Sequence, residues 1–438
     1  MKKFSQWVSS IADSGREFLA SKTSNKSLDT PQALADFCLQ LCSSKGEALG
    51  TAIAHEVVKH YQQLDSEQRL SFFTMLATDY GPDAEKIISC ADNYRQHTDE
   101  AHYRALSEAI ESRRVHLFKR INMAPNGTQT LIQMRLDLFS FIKENPDFKA
   151  IDTDLKHLMI AWFNRGFLIL EQISWSTQAH ILEKLIAYEA VHAMDGWDDL
   201  RRRLANDRRC FAFFHPALED EPLIFVEVAL TEGVATSVQT LLAEADSDQP
   251  TSEKADTAIF YSISNCQEGL RGISFGNFLI KQVVLELQHE LPQLQNFATL
   301  SPIPGFMNWL RKERKSDSEW LTTEDKLTLT LLDTSTWQEQ ENQSESLKAL
   351  LMRLGAHYLS NEKNGSLPLD PVARFHLGNG ASIGQLNWLG DTSEKGIKQS
   401  AGLLVNYVYR LDKVEENHEA FVNNGEVFMA TEVKKLLN

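Results

Sequence analysis

The sequence predicts an α+β chain of more than one domain: an all-α helical bundle over residues 1–163, then a mixed α/β domain over residues 164–438. Three observations lead there. The 438 residues exceed one domain of about 150 residues severalfold. The first 160 or so residues carry their apolar positions almost entirely at helical spacing. After about residue 163 short β-rich runs begin to alternate with helical ones, the pattern of a mixed sheet with covering helices.

The helical half divides into segments 31–43, 45–64, 66–79, 82–95, 99–121, 128–144 and 152–164, preceded by a short amphipathic helix within residues 1–20. Asp65 followed by Ser66, Glu67 and Gln68 has the spacing of a capping box, in which side chains satisfy the free N–H groups of a helix start. Gly81-Pro82 and Pro125-Asn126-Gly127 break the chain between helices. Leu131, Met134, Leu138, Phe141 and Ile142 form one stripe of segment 128–144. No polar cluster interrupts these faces, so the half reads as a scaffold or assembly module.

In the second half, strands are expected at Phe167–Ile173, Arg209–His215, Leu223–Leu230, Thr257–Asn265 and Asn296–Ile303, then at Val372–His376 and Ser382–Trp388 around an Asn379-Gly380 turn. Helices are expected at 177–191, 197–204, 234–244, 275–291, 305–315, 323–332 and 345–362, with a last helical region over 399–423. The acidic stretch 244–256 reads as a surface excursion.

Charge narrows the function. There are 44 basic and 60 acidic side chains, a net charge of −16, which disfavours a nucleic-acid or anionic-membrane binder. A polyanionic ligand must then be met by a local cationic patch. The run Arg201–Arg209 holds five arginines against one aspartate; it is either a solvated helix end or a cation cluster for such a ligand, and Arg311, Lys312, Arg314 and Lys315 pose the same choice. Five scattered cysteines without C-x-x-C spacing suit a reducing compartment and no zinc ribbon. No apolar run approaches the ~20 residues of a membrane span.

The most informative segment is 257–291, a strand, a loop with Arg271-Gly272-Ile273-Ser274-Phe275-Gly276, then a long amphipathic helix. A glycine-containing loop opening a helix offers backbone N–H groups and the positive dipole end to a phosphate, and Arg271 adds a bidentate cation. This R-G-x-x-x-G arrangement resembles the pyrophosphate-binding loop of GNAT-type acyltransferases. The same letters match G-x-S-x-G, the nucleophile elbow of serine hydrolases, with Asp370 and His376 downstream in the right order; an elbow, however, needs a strand running directly into it. His55 and His60 mimic a zinc-protease motif but stand at i, i+5, about 140° apart on a helix, and read as surface histidines. Ser301, in Ser-Pro-Ile-Pro-Gly-Phe306, and His376, in Phe-His-Leu-Gly-Asn-Gly380, sit at turns where either a structural or a functional role is open.

Taken together, YEAVH (188–192), DRRCFAFFHPALEDEPLIFVEVAL (207–230), AIFYSISNCQEGLRGISFGNFLIKQVV (258–284), FATLSPIPGF (297–306), FHLGNG (375–380) and GLLVNY (402–407) resemble malonyl-CoA decarboxylase. The resemblance covers most of the chain and is weakest in the N-terminal helices. It implies a helical oligomerisation domain, forming a dimer or tetramer, and a GNAT-like catalytic domain. It also implies conversion of malonyl-CoA to acetyl-CoA and CO2 without metal or organic cofactor, as a lyase of fatty acid metabolism. The family's malonyl-CoA-binding stretch falls on Arg271, Gly272, Ile273, Ser274, Phe275, Gly276 and Asn277, its catalytic serine on Ser301 and its catalytic histidine on His376. Tyr407 carries over as a supporting hydrogen-bond partner. A histidine titrating near neutrality would suit proton delivery, and Phe275, Phe306 and Trp309 are candidates for an apolar wall. The chain ends Lys-Lys-Leu-Leu-Asn438 rather than in a peroxisomal tripeptide, so a cytoplasmic setting is expected. An acyl-CoA-dependent acyltransferase and a non-catalytic CoA-ester-binding protein are the alternatives on the same fold.

Overall fold

The computed structural model describes residues 31–43, 46–243, 254–273, 279–316, 320–334, 337 and 344–437. The helix expected within residues 1–20 and most of the 244–256 excursion lie outside the described residues. By their contacts these residues form two compact units. One is drawn from Met1–Ile169, Phe214–Leu223 and Gln267–Phe275, the other from Leu170–Phe213, Ile224–Cys266 and Gly276–Asn438.

The first unit is helical: α1 (Pro31–Ser43), α2 (Glu47–Gln63), α3 (Ser66–Thr78), α4 (Ala84–Gln96), α5 (Glu100–Ile110), α6 (Arg113–Ile121), α7 (Gly127–Phe141) and α8 (Lys149–Trp162). The capping box at Asp65 forms, with its carboxylate accepting from Gln68 N and the Gln68 side chain accepting from Asp65 N. The single helix expected over 99–121 is two, because the Ser112 hydroxyl accepts from Val115 N and starts a new helix. His60 is buried rather than exposed, stacked near Phe37 and bonded to Glu56 O, while His55 is half-buried. Both are helix-packing residues. The Gln267–Ile273 segment belongs to this unit: a Cβ on Gly269 would fall 2.2 Å from Ile132 O on α7, so only glycine allows that approach.

The second unit contains β1 (Ile169–Ile173), α9 (Ala179–Tyr188), α10 (Trp197–Arg203), β2 (Arg208–Phe214), β3 (Pro222–Thr231), α11 (Val238–Leu242), β4 (Thr257–Asn265), α12 (Leu279–Glu290), β5 (Asn296–Thr299) and β6 (Ser301–Pro302). There follow α13 (Phe306–Glu313), α14 (Thr323–Thr328), α15 (Ser344–Ser360), the short pair β7 (Lys363–Asn364) and β8 (Leu367–Pro368), α16 (Pro371–Gly378), β9 (Ser382–Asn387), α17 (Glu394–Ser400), β10 (Leu404–Val408), α18 (Val414–Asn424) and α19 (Thr431–Lys435). Eight strands form one sheet in the order β1-β2-β3-β4-β5-β10-β6, with β9 also on β10. β3 is buried along nearly its whole length, as its apolar run, interrupted by Glu227, requires of a central strand. The β3–β4 pairing is antiparallel and β4–β5 is parallel. That parallel pairing ends at Phe260↔Thr299, although β4 runs on to Asn265. β5 also pairs with β10 on its other edge, Ala298 opposite Val408, and past Leu300 the chain stays on β10 with Ser301 opposite Val405.

Three expectations are corrected here. Val372–His376 is helical, not a strand: the Asp370 carboxylate accepts from the N–H groups of Val372 and Ala373, and Pro371 occupies the first helical position. The helical region expected over 399–423 contains β10, which ends α17 through a left-handed Ala401 and Gly402. Helix 234–244 shrinks to Val238–Leu242.

The arginine-rich run is turned into the protein. Arg203 is paired with Glu227 (2.5 Å), both buried, and burial pushes the Glu227 carboxyl up while Arg203 opposes it. Arg202 makes a bidentate pair with Asp207, which Arg208 also contacts, and Arg209 pairs with Glu290 and Arg201 with Asp198. These pairs answer the choice left by the sequence: the five cations neutralise carboxylates of their own unit. Arg314 is likewise paired with Asp333. Removing one partner of a buried pair is costly, so Arg203→Met should lower stability by about 3–5 kcal/mol. Urea unfolding measures this, and Arg203→Met combined with Glu227→Leu should regain most of the loss.

Candidate active site

Two structures precede the histidine and serine that the sequence singled out. α16 ends beside the sheet with His376 in its last turn, and β6 carries Ser301 where the parallel strands part. The two side chains meet: Ser301 Oγ and His376 Nε2 are 3.2 Å apart. Ser301 donates to Thr299 Oγ1 at 2.8 Å, and Thr299 Oγ1 also accepts from Tyr407 N at 3.0 Å. With its proton so directed, Ser301 Oγ accepts from an Nε2–H, and Nδ1 on the far side accepts from the Tyr409 hydroxyl at 2.8 Å. Tyr409, His376, Ser301 and Thr299 thus form one continuous hydrogen-bonded chain.

Tyr407 takes a different place from the one expected. Its ring stacks on the imidazole, centroids 4.6 Å apart and 22° between planes, and its hydroxyl has no hydrogen-bond partner among the described residues. The hydrogen bond to His376 belongs to Tyr409. Tyr407 lies on β10 and Tyr409 one residue beyond its end, and the Tyr-x-Tyr spacing is the signal by which the sequence could have pointed to Tyr409. The strand is held by Asn406, whose Nδ2 donates to Thr299 O and whose Oδ1 accepts from Asn387.

All of these groups are buried, His376 at 3% and Ser301 at 5% exposure. Among the described residues no carboxylate is hydrogen-bonded to the imidazole: Asp370 caps α16 through Oδ1 instead of bonding His376, against the Ser-Asp-His order as an assembled triad. Desolvation alone therefore acts on His376 and pushes it down to about 3, so the ring is neutral at physiological pH rather than titrating near neutrality. Burial raises Tyr409 and Tyr407 well above the ordinary phenol value, and both stay protonated. Asp370, also buried, is pushed up to about 6, its hydrogen bonds to backbone N–H groups and Arg374 opposing the rise. Phe306 and Trp309 are buried against Tyr358, and a Cβ on Gly305 would fall 2.1 Å from the Tyr358 hydroxyl.

The described part of the phosphate-loop candidate, Arg271–Ile273, lies in the helical unit. β4 ends at Asn265 and a single 3-10 turn, Glu268–Leu270, intervenes before Arg271, so no strand runs into the G-x-S-x-G letters as an elbow needs. Arg271 and Gly272 are exposed, Ile273 is buried, and Gly272 has φ +77°, a left-handed conformation that favours glycine. The Arg271 guanidinium lies over the Phe139 ring, 4.5 Å from its centroid. Ser274, Phe275, Gly276 and Asn277 lie outside the described residues. Among the described residues no group of three or more His, Cys, Asp or Glu side chains is placed to hold a metal, and no helix is long and apolar enough to cross a membrane.

Fold and site together define a protein with a helical unit and a mixed α/β unit, whose sheet pairs β4 with β5 in parallel and holds a buried hydrogen-bonded chain at β6 and β10. That is the helical bundle followed by a mixed α/β domain that the sequence predicts. The family model described as malonyl-CoA decarboxylase C-terminal domain matches residues 166–438, and the corresponding N-terminal domain model matches residues 80–163. Mitochondrial malonyl-CoA decarboxylase of Anser anser anser is 37% identical over 413 residues, covering 86% of this chain and 82% of that protein. The crystal structure of malonyl-CoA decarboxylase from Rhodopseudomonas palustris aligns with a TM-score of 0.88 at 46% identity, covering 93% of this chain and 99% of that one. The Agrobacterium vitis structure aligns with a TM-score of 0.88 at 49% identity, over 92% and 99%. The chain belongs to the malonyl-CoA decarboxylase family.

A neutral buried imidazole fixes the sign of one pH effect. Below its unfolded value near 6.5 the unfolded chain takes up a proton that the folded chain refuses until about 3. Stability is therefore lost as pH falls through that window. Urea titrations at pH 7 and pH 4.5 should show a smaller acid loss for His376→Gln than for the parent chain.

Proposed function

We propose that this protein decarboxylates malonyl-CoA to acetyl-CoA and CO2, with the Ser301–His376 pair at the reacting end of the substrate. The 3.2 Å contact between those side chains, in a member of this family, is the observation that carries the reading. The bond between the α-carbon and the carboxyl carbon breaks, CO2 leaves, and the electron pair passes into the thioester as an enolate. A proton then forms the new C–H bond. Net, the reaction consumes one proton, so the site must acquire one.

His376 is the group we assign to that task. Neutral when the pocket is dry, it gains basicity when a carboxylate arrives within a few ångströms, because an opposite charge at that range favours the imidazolium. Binding of the malonyl dicarbonyl would thus load the acid, and loss of CO2 would leave the enolate beside it. Tyr409, free to rotate its hydroxyl, accepts from Nδ1–H in that state, and Ser301 donates to the carboxylate or the enolate oxygen. Tyr407 keeps the ring in plane by stacking. The thioester itself disperses the carbanion charge, so no metal or organic cofactor is required in this scheme. The Arg271–Asn277 stretch is assigned to the coenzyme A phosphates.

We further infer a cytoplasmic homo-oligomer acting in fatty acid metabolism. α4 buries no residue of its own and Ile88 is 63% exposed, with Tyr103 and Ile110 of α5 also exposed, which supports assembly through the helical unit. None of the five cysteines forms a disulfide, which suits a reducing compartment.

Incubation of the full chain with malonyl-CoA alone should yield acetyl-CoA and CO2 in equal amounts, and should continue after dialysis against a chelator. Thiol release only in the presence of an amine would instead mean an acyltransferase, and tight binding without turnover a CoA-ester sensor. His376→Asn and Ser301→Ala should each lower kcat by about 10²–10⁴-fold, and activity within about threefold of the parent would remove the assignment. Arg271→Ala should weaken coenzyme A binding measured by calorimetry, with kcat little changed.

A further inference from the structure

The loop assigned to the phosphates is held by a residue of the helical bundle. Arg135 on α7 is 2% exposed, and its guanidinium points at two carbonyls of that loop. Nη1 donates to Gly269 O at 2.7 Å and to Arg271 O at 2.9 Å. Nε donates to Asp152 Oδ1 of α8 at 2.7 Å, which neutralises the buried charge and fixes the direction of the fork. The same Phe139 ring underlies both cations, 4.8 Å from the Arg135 guanidinium and 4.5 Å from that of Arg271.

The consequence follows from peptide geometry. In a trans peptide the C=O and N–H point in opposite directions. Because Arg271 O is drawn onto Arg135, the N–H of Gly272 faces away from the bundle, on the exposed side of the loop. Gly272 can hold that turn because its φ of +77° costs glycine little. Arg271, its carbonyl anchored and its guanidinium resting on Phe139, is left with a charged face for an anion. Other turn bonds, Leu270 N to Gln267 O and Ile273 N to Leu270 O, stabilise the loop's own shape but do not set which way the Arg271–Gly272 peptide faces.

We propose that Arg135 is a positioning residue for the coenzyme A phosphates, orienting the Arg271–Gly272 peptide so that its N–H and the Arg271 side chain meet the pyrophosphate; this rests on the assignment of that loop to coenzyme A. The helical unit is then part of the binding machinery as well as a scaffold. Lysine at position 135 keeps the charge beside Asp152 but has one nitrogen, where arginine holds Asp152 with Nε and both carbonyls with Nη1 of the same plane.

The test compares two substrates with the full-length protein: malonyl-CoA, and malonyl-pantetheine, which carries no phosphate. Arg135→Lys should raise KM for malonyl-CoA by about tenfold with kcat within about twofold, and leave kcat/KM for malonyl-pantetheine unchanged. Equal losses on both substrates, or no change on either, would overturn the proposal. Arg271→Ala, assayed alongside, separates the two levels. If it selectively weakens malonyl-CoA while Arg135→Lys does not, the loop assignment stands and the positioning role falls. If Arg271→Ala shows no selectivity, the loop assignment itself falls and the positioning role with it. Should Arg135→Lys fail to fold, Phe139→Leu, which removes the ring beneath both guanidiniums, must show the same malonyl-CoA-selective rise in KM; its absence overturns the proposal.

Discussion

Burying an imidazole that has no carboxylate partner constrains everything around it. Such a ring is stable only as the neutral form, with each nitrogen given one hydrogen bond of the right polarity. His376 obtains this from Tyr409 on one side and Ser301 on the other, with Tyr407 closing one face. Meeting that demand brings together three elements far apart in the chain. α16 supplies the ring, β6 the hydroxyl, and β10 with the residue just after it the two tyrosines, and β10 also pairs with the strand that carries Ser301. The β4–β5 parallel pairing ends at Phe260↔Thr299, while pairing with β10 continues from Ala298 on β5 to Ser301 on β6.

The charge distribution obeys a related economy. A chain of net charge −16 spends most of its conspicuous arginine run on its own carboxylates, as Arg203 with Glu227 and Arg202 with Asp207 illustrate. Buried pairs of this kind do more to specify one arrangement of β2, β3 and α10 than to stabilise it, since a well-packed apolar substitute often serves as well. Arg135 shows the same chemistry turned toward a loop, where two carbonyls rather than a second carboxylate are fixed. In each case the guanidinium acts as a planar multi-donor fork, and a lysine would not reproduce the geometry.

Much of the secondary structure was legible in the sequence because burial and periodicity coincide. β3 and β4 are long, largely apolar and bounded by turn residues, α1 and α2 carry apolar stripes, and α3 is marked by its capping box. The failures have local causes. Phe375-His376 beside a glycine-rich turn resembles a strand end, yet Asp370-Pro371 just before it is a helix start, and the cap prevails because it satisfies backbone donors that no strand partner reaches. In 399–423 a helical pattern masked the short strand Leu404–Val408, whose identity depends on pairing with β9. Asn296–Ile303 looked continuous because nothing local reveals that β4 pairs with its first half alone, while β10 pairs with both.

Residue chemistry and order along the chain determined which side chains can move a proton, which cations and glycines can meet a phosphate, and the family itself, because these are properties of single residues and short spacings. Tertiary structure alone decided that Tyr409 rather than Tyr407 bonds His376, that the ring is neutral, that the arginine run is consumed internally, and that a helical-unit arginine orients the Arg271–Gly272 peptide. The physical reason is common to all four. Hydrogen-bond partnership and desolvation depend on what surrounds a group in space, and those surroundings come from residues tens to hundreds of positions away.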